Sequence, residues 1–158
     1  LETQITKFFE EFGEIATGIS KNKPELIMDG IGDALVVLVN ILELGKEYHD
    51  ENLTTADIIS SGLTMQLRDV ANVEACANDH KFPHRKYLEA TKSFSTSFLN
   101  TNKDDNLFDH GLYCLACLAL YYKLDIRHCF SLAWHEIKDR KGYLNADGIF
   151  VKEADLAK

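Results

Sequence analysis

The sequence predicts an all-α protein, a bundle of about five to six helices closed by a short irregular or hairpin C-terminal tail. Three observations lead there. Apolar residues recur at three- and four-residue spacing rather than in alternation. The only two prolines, Pro24 and Pro83, fall in gaps between periodic segments. Hydrophobic residues make up 46% of the 158, enough to bury a core in one compact domain over residues 1–158.

The first helix carries Ile5, Phe8, Phe9, Phe12, Ile15, Ala16 and Ile19 on one stripe, and "SKNKP" ends it. The second opens at Pro24, whose fixed φ suits a first turn, and runs to about Lys46. After "HDENLTT", Thr54 and Asp57 resemble a capping box for a third helix reaching through Ile58, Leu63, Leu67, Val70 and Val73. "NDHKFPH" closes it. Tyr87, Ala90, Phe94 and Phe98 mark a fourth helix, and "NTNKDDN" has the Asn and Asp content of a loop. The last two are "LFDHGLYCLACLALYYKL" and, with Asp125 as N-cap, "IRHCFSLAWHEIKDRKG"; "YLNADGIFVKEADLAK" is the tail. The second helix and "DHGLYCLACLALYYKL" share an apolar rhythm, but aligning them sets Asp33 against His110, so the polar positions do not repeat.

Charge excludes some functions. Seventeen basic against 25 acidic side chains give −8, which argues against a nucleic-acid polymer as partner. No apolar run reaches the roughly 20 residues that span a bilayer, and there is no basic-then-apolar leader, so no membrane partner is expected. Cys76, Cys114, Cys117 and Cys129 lack the density of a disulfide scaffold, which fits a reducing cytoplasm.

The second helix poses a specific question, because Asp33 stands directly before "ALVVLV" and Asn40 directly after it. At 100° per residue, Asp29, Asp33 and Asn40 fall within about 40° of one another, one polar line on a mostly apolar cylinder. On the first helix Glu11 and Glu14 lie three apart, flanking the apolar stripe. An antiparallel hairpin brings the two pairs together, and converging carboxylates repel unless a hard cation, Mg²⁺ or Mn²⁺, sits among them. The bland alternative is a solvated acidic face.

These residues carry a resemblance. "EEFGEIATGI…KPELIMDGIGDALVVLVNI" resembles the helix pair of the MazG-like all-α nucleotide pyrophosphohydrolases, with its Glu-x-x-Glu, gap, Glu-x-x-Asp signature. "AWHEIKDRKGYLNADGIFVKEADL" resembles the C-terminal signature of the phage and bacterial members. The resemblance implies Mg²⁺-dependent hydrolysis of a nucleoside triphosphate between the α and β phosphates, giving monophosphate and pyrophosphate, in a homodimer or higher assembly. Glu11, Glu14 and Asp33 match the family's metal ligands, with one glutamate serving as base. Lys138, Arg140 and Lys152 match basic positions that neutralise the triphosphate, and Asn40 is placed to hydrogen-bond a ligand or substrate.

Two departures follow. The second motif's glutamate matches Gly30, which offers no side chain; Asp29, four before Asp33 on the same face, is the expected replacement, and restoring Glu at 30 is expected to rescue loss of Asp29. A helical insertion at about 47–106 also separates the acidic helices from the closing ones. The rival function is a degenerate member acting as a nucleotide-sensing or protein-binding helical module.

Two further sets have both a functional and a core reading. Phe94, Phe98, Tyr113, Tyr121 and Trp134 are base-stacking candidates, although aromatics at helical spacing generally pack inside. His110, Cys114 and Cys117, with His128 or Cys129, have zinc-ligand residue types, but a Cys-x-x-Cys inside "LYCLACLAL" reads more simply as two small buried hydrophobes. His80 and His84 flank Pro83, which disfavours a helical ligand pair.

Overall fold

A computed structural model describes residues 1–45, 54–64, 70–99, 107–146 and 150–153. Among them are seven helices, α1 (Glu2–Lys21), α2 (Pro24–Leu44), α3 (Thr55–Thr64), α4 (Val70–Ala75), α5 (Phe82–Leu99), α6 (Leu107–Tyr121) and α7 (Ile126–Ile137). Strands β1 (Gly142–Leu144) and β2 (Phe150–Lys152) pair antiparallel, with Tyr143 opposite Val151, so the tail is a hairpin. The all-α expectation holds, with more helices than the five to six expected. The stretch expected as a single third helix is described as α3 and α4, with residues 65–69 between them outside the described residues, and Val73 of α4 packs with Phe82 and Cys117. Leu67 lies outside the described residues.

The local signals behave as their chemistry dictates. Thr54 and Asp57 close a reciprocal box: the Thr54 N–H donates to Asp57 Oδ2 at 3.0 Å and the Asp57 N–H donates to Thr54 Oγ1 at 3.1 Å. The Arg127 N–H donates to Asp125 Oδ1 at 2.9 Å, capping α7. Asn22 ends α1 in the left-handed region at φ 50°, a conformation Asn tolerates, and the Lys23 N–H donates back to the Gly18 carbonyl at 2.8 Å.

One continuous apolar cluster joins α1, α2, α5, α6 and α7, through residues such as Phe12, Ile31, Phe94, Leu115 and Cys129. The α5 helix lies inside the stretch that reads as an insertion, yet it is central to this cluster. Phe94 is fully buried and meets Phe8 edge-on at 5.0 Å, while Tyr87 stacks on Phe12 at 4.7 Å. Gly111 of α6 lies against the Phe94 ring, where a Cβ would approach to 2.7 Å. The ends of the stretch, residues 46–53 and 100–106, lie outside the described residues. No helix among the described residues is long and apolar enough to cross a membrane.

Candidate functional site

The α1–α2 hairpin is drawn tight by two glycines. A Cβ at Gly18 would lie 2.9 Å from the Ile27 nitrogen, and one at Gly30 would lie 3.0 Å from the Ile15 nitrogen and 3.3 Å from the Glu11 carbonyl. Backbone therefore meets backbone at both points. The Gly30 contact sets the turn carrying Glu11 and Glu14 beside the turn carrying Asp29 and Asp33. Glycine therefore suits the packing at 30: a Cβ there would also meet Ile15 Cγ1 at 2.8 Å, so a glutamate enters only if α1 gives by a few tenths of an ångström. Asp29 is the neighbouring carboxylate with access to solvent, and its charge acts on Asp33.

A third element completes the site. Gly32 faces outward from the hairpin toward α7, where a Cβ would overlap the Cys129 carbonyl and stand 3.1 Å from the Ala133 Cβ. That close approach brings Glu136, one turn beyond Ala133, to the Asp33 side of α2. Asp33 is half-buried, and its carboxyl is raised to about 6, first by burial and then by the charges of Glu11, Glu136, Asp29 and Glu14. Five carboxylates from three helices therefore share one electrostatic neighbourhood. Glu136 was missed as a site residue, although it lies inside the quoted C-terminal motif; only the packing of α7 reveals its partner.

Lys7 is a second residue that sequence reasoning missed, with its i,i+4 spacing to Glu11 as the available signal. Its ammonium lies 2.5 Å from Glu11 Oε1 and 3.1 Å from Glu10 Oε1. Burial works to lower its pKa, but the bonds to Glu11 and Glu10 outweigh it and raise the net value. Glu14 is exposed and makes no ion pair among the described residues.

The basic residues divide. Arg140 bonds back to α7, its Nε donating to the Glu136 carbonyl at 3.2 Å and its Nη2 lying 3.7 Å from Glu136 Oε2. The hairpin then sets Lys152 against Arg140 in an open cleft also lined by Lys141 and Glu153. Lys138 is exposed and outside that lining. Asn40 is exposed, seven residues and so about 10 Å along the axis from Asp33. Of the stacking candidates, Phe94 is core, Tyr121 stacks on Phe82 at 5.4 Å, and Trp134 is 49% exposed.

The donor set is all carboxylate oxygen, which suits a hard divalent cation. It is also open. Among the described residues, three ligand atoms close to within 4.8 Å of one another at Glu89, His110 and Cys114, not in the acidic set. Wider spacing is compatible with Mg²⁺, which dehydrates reluctantly and keeps several waters between itself and a few carboxylates.

Over 52 residues, 33% of the chain, the sequence is 44% identical to an uncharacterized 18.2 kDa protein in the rep-hol intergenic region of Haemophilus phage HP1 (strain HP1c1). The chain spans 30% of that protein's length. No family model and no solved structure matches the chain. The resemblance to the MazG-like hydrolases rests on the motif residues themselves.

Proposed function

We propose that the protein is a Mg²⁺-dependent pyrophosphohydrolase that cleaves a nucleoside triphosphate to the monophosphate and pyrophosphate. The observation that carries this is the convergence of Glu11, Glu14, Asp29, Asp33 and Glu136 from α1, α2 and α7, where burial first and then the neighbouring charges raise the Asp33 carboxyl to about 6. Carboxylates gathered this way destabilise the fold unless a cation uses them. When bound there, Mg²⁺ supplies charge neutralisation for the triphosphate and acidifies a water.

The chain's own residues then divide the work. Glu11, Asp29 and Asp33 would hold the ion, which would compete with the Lys7 ammonium for Glu11. Glu14, exposed and free of ion pairs among the described residues, takes the proton of the attacking water. Arg140, in contact with Glu136, and Lys152, in the same cleft as Arg140, are the cations assigned to the pyrophosphate end of the substrate. Four free cysteines fit a cytoplasmic setting for this chemistry.

A second reading, a nucleotide-sensing or protein-binding helical module, is favoured by the open spacing of the acidic set and the Lys7 ammonium already on Glu11. Incubation with Mg²⁺ and a panel of ribo- and deoxyribonucleoside triphosphates, with pyrophosphate assayed, separates the two. Release from at least one triphosphate supports the hydrolase; none above background from any of them leaves the binding module.

A further inference from the structure

Away from the acidic helices, α5 and α6 bring together three different metal-binding groups. His110 and Cys114 are four apart on α6 and therefore share a face, with His110 Nε2 3.6 Å from Cys114 Sγ. Glu89 of α5 reaches the same sulfur, its Oε2 3.7 Å away, and all three ligand atoms lie within 4.8 Å of one another. Zinc bonds of roughly 2.3 Å to sulfur and 2.0 Å to nitrogen or oxygen, at the tetrahedral angle, require ligand atoms about 3.5 Å apart. The two observed separations are close to that edge length. Without metal the same contacts suit a thiol that donates to Glu89 and accepts from a His110 tautomer carrying its proton on Nε2, and titration with metal separates the two states.

We propose that Glu89, His110 and Cys114 form a site for Zn²⁺ that ties α5 to α6 and shares no residue with the acidic set. The thiol selects the metal: sulfur and imidazole suit zinc, whereas Mg²⁺ takes oxygen. A carboxylate and a thiolate balance the two positive charges, and the thiol proton leaves to solvent as the metal–sulfur bond forms. Cys114 is fully buried while His110 is exposed, so the ion enters from the His110 side and its fourth position opens to water. Lys86 now holds Glu89, with Nζ 2.6 Å from Oε2, and the ion competes with that ammonium for the carboxylate.

The test uses the full chain stripped with chelator and titrated with Co²⁺, a spectroscopic stand-in, then with Zn²⁺ in competition. The expected result is a thiolate-to-cobalt absorption that saturates at one ion per chain, is abolished by Zn²⁺, and is unaffected by excess Mg²⁺. Cys114→Ser removes the absorption. His110→Ala, a change at an exposed position, weakens binding by at least about tenfold, since outer-shell partners alone are worth about 10–100-fold. Lys86→Gln strengthens it by removing the competitor. No thiolate absorption in the wild type, absorption that survives Cys114→Ser, or unchanged affinity in His110→Ala overturns the proposal. None of these readouts depends on triphosphate hydrolysis.

Discussion

Gly32 of α2 lies directly against the carbonyl of Cys129 on α7, so that even a methyl group at position 32 would overlap it. The contact is more than tight packing. It fixes how far α7 stands from α2, and Glu136 reaches the neighbourhood of Asp33 only because that distance is short.

Gly32→Ala should therefore cost about 1–3 kcal/mol of stability as α7 is pushed outward, the usual range for overpacking, partly offset by alanine's better helix propensity. Urea unfolding measures it. It should also lower the pKa of Asp33, because Glu136 recedes; a variant with wild-type stability and an unchanged Asp33 titration would show that the α2–α7 spacing is not set here.

The fold was largely legible because helix periodicity, the Thr54–Asp57 box, Pro24 and Asp125 are local signals, each acting within a turn or two. Asp33 was legible for a related reason: a carboxylate bordering an apolar run stands out in one dimension. Glu136 and Lys7 were not singled out. Glu136 owes its place to a glycine about a hundred residues earlier in the chain, a relation that no spacing within α7 encodes. Gly30 reads in one dimension as a missing ligand, and its packing role becomes visible only when the backbone of Ile15 is seen against it. The pairing of Glu89 with His110 and Cys114 also joins two different helices, and sequence spacing alone groups Cys117 with them instead. Cys117 packs with Val73 and Phe82.

Asp29→Ala should reduce hydrolysis at limiting Mg²⁺ by at least about tenfold, equivalent to roughly 1.4 kcal/mol of transition-state stabilisation. Adding Gly30→Glu to that variant should not restore activity, and should lower the melting temperature instead, because the new side chain meets Ile15 and the α1 backbone. Recovery of activity without loss of stability would mean that α1 yields at this point.

Glu14→Gln keeps the shape of an exposed side chain and removes its charge. Hydrolysis should be abolished, while the melting temperature in chelator stays within a few degrees of wild type, since no ion pair is lost among the described residues. A Glu14→Gln protein that kept most of its pyrophosphate release would remove Glu14 from the chemistry.

Asp33 ties the acidic site to pH. Its folded-state carboxyl titrates at about 6 against an ordinary value of 3.8, with burial the largest cause and Glu11, Glu136, Asp29 and Glu14 adding repulsion. Between those two values the folded protein holds a proton that the unfolded chain has released, so Asp33 makes the fold less stable as pH rises from about 4 to 6, and the cost is constant above that. Discounted for its partial exposure, the cost is on the order of 1–2 kcal/mol. In chelator, Asp33→Asn should match wild type near pH 4 and exceed its melting temperature by a few degrees at pH 7 to 8. Glu136→Gln should give a smaller gain in the same direction. Mg²⁺ at a hundredfold over its Kd adds about 2.7 kcal/mol to a native state that binds it, so saturating metal should raise wild type and leave Asp33→Asn nearly unchanged. Thermal unfolding of both proteins across pH, with and without metal at matched ionic strength, reads all of these differences. A metal-induced rise of equal size in both would place the ion elsewhere than at Asp33, and a wild-type curve without loss of stability relative to Asp33→Asn above pH 6 would mean that the five carboxylates do not act on one another as their placement requires.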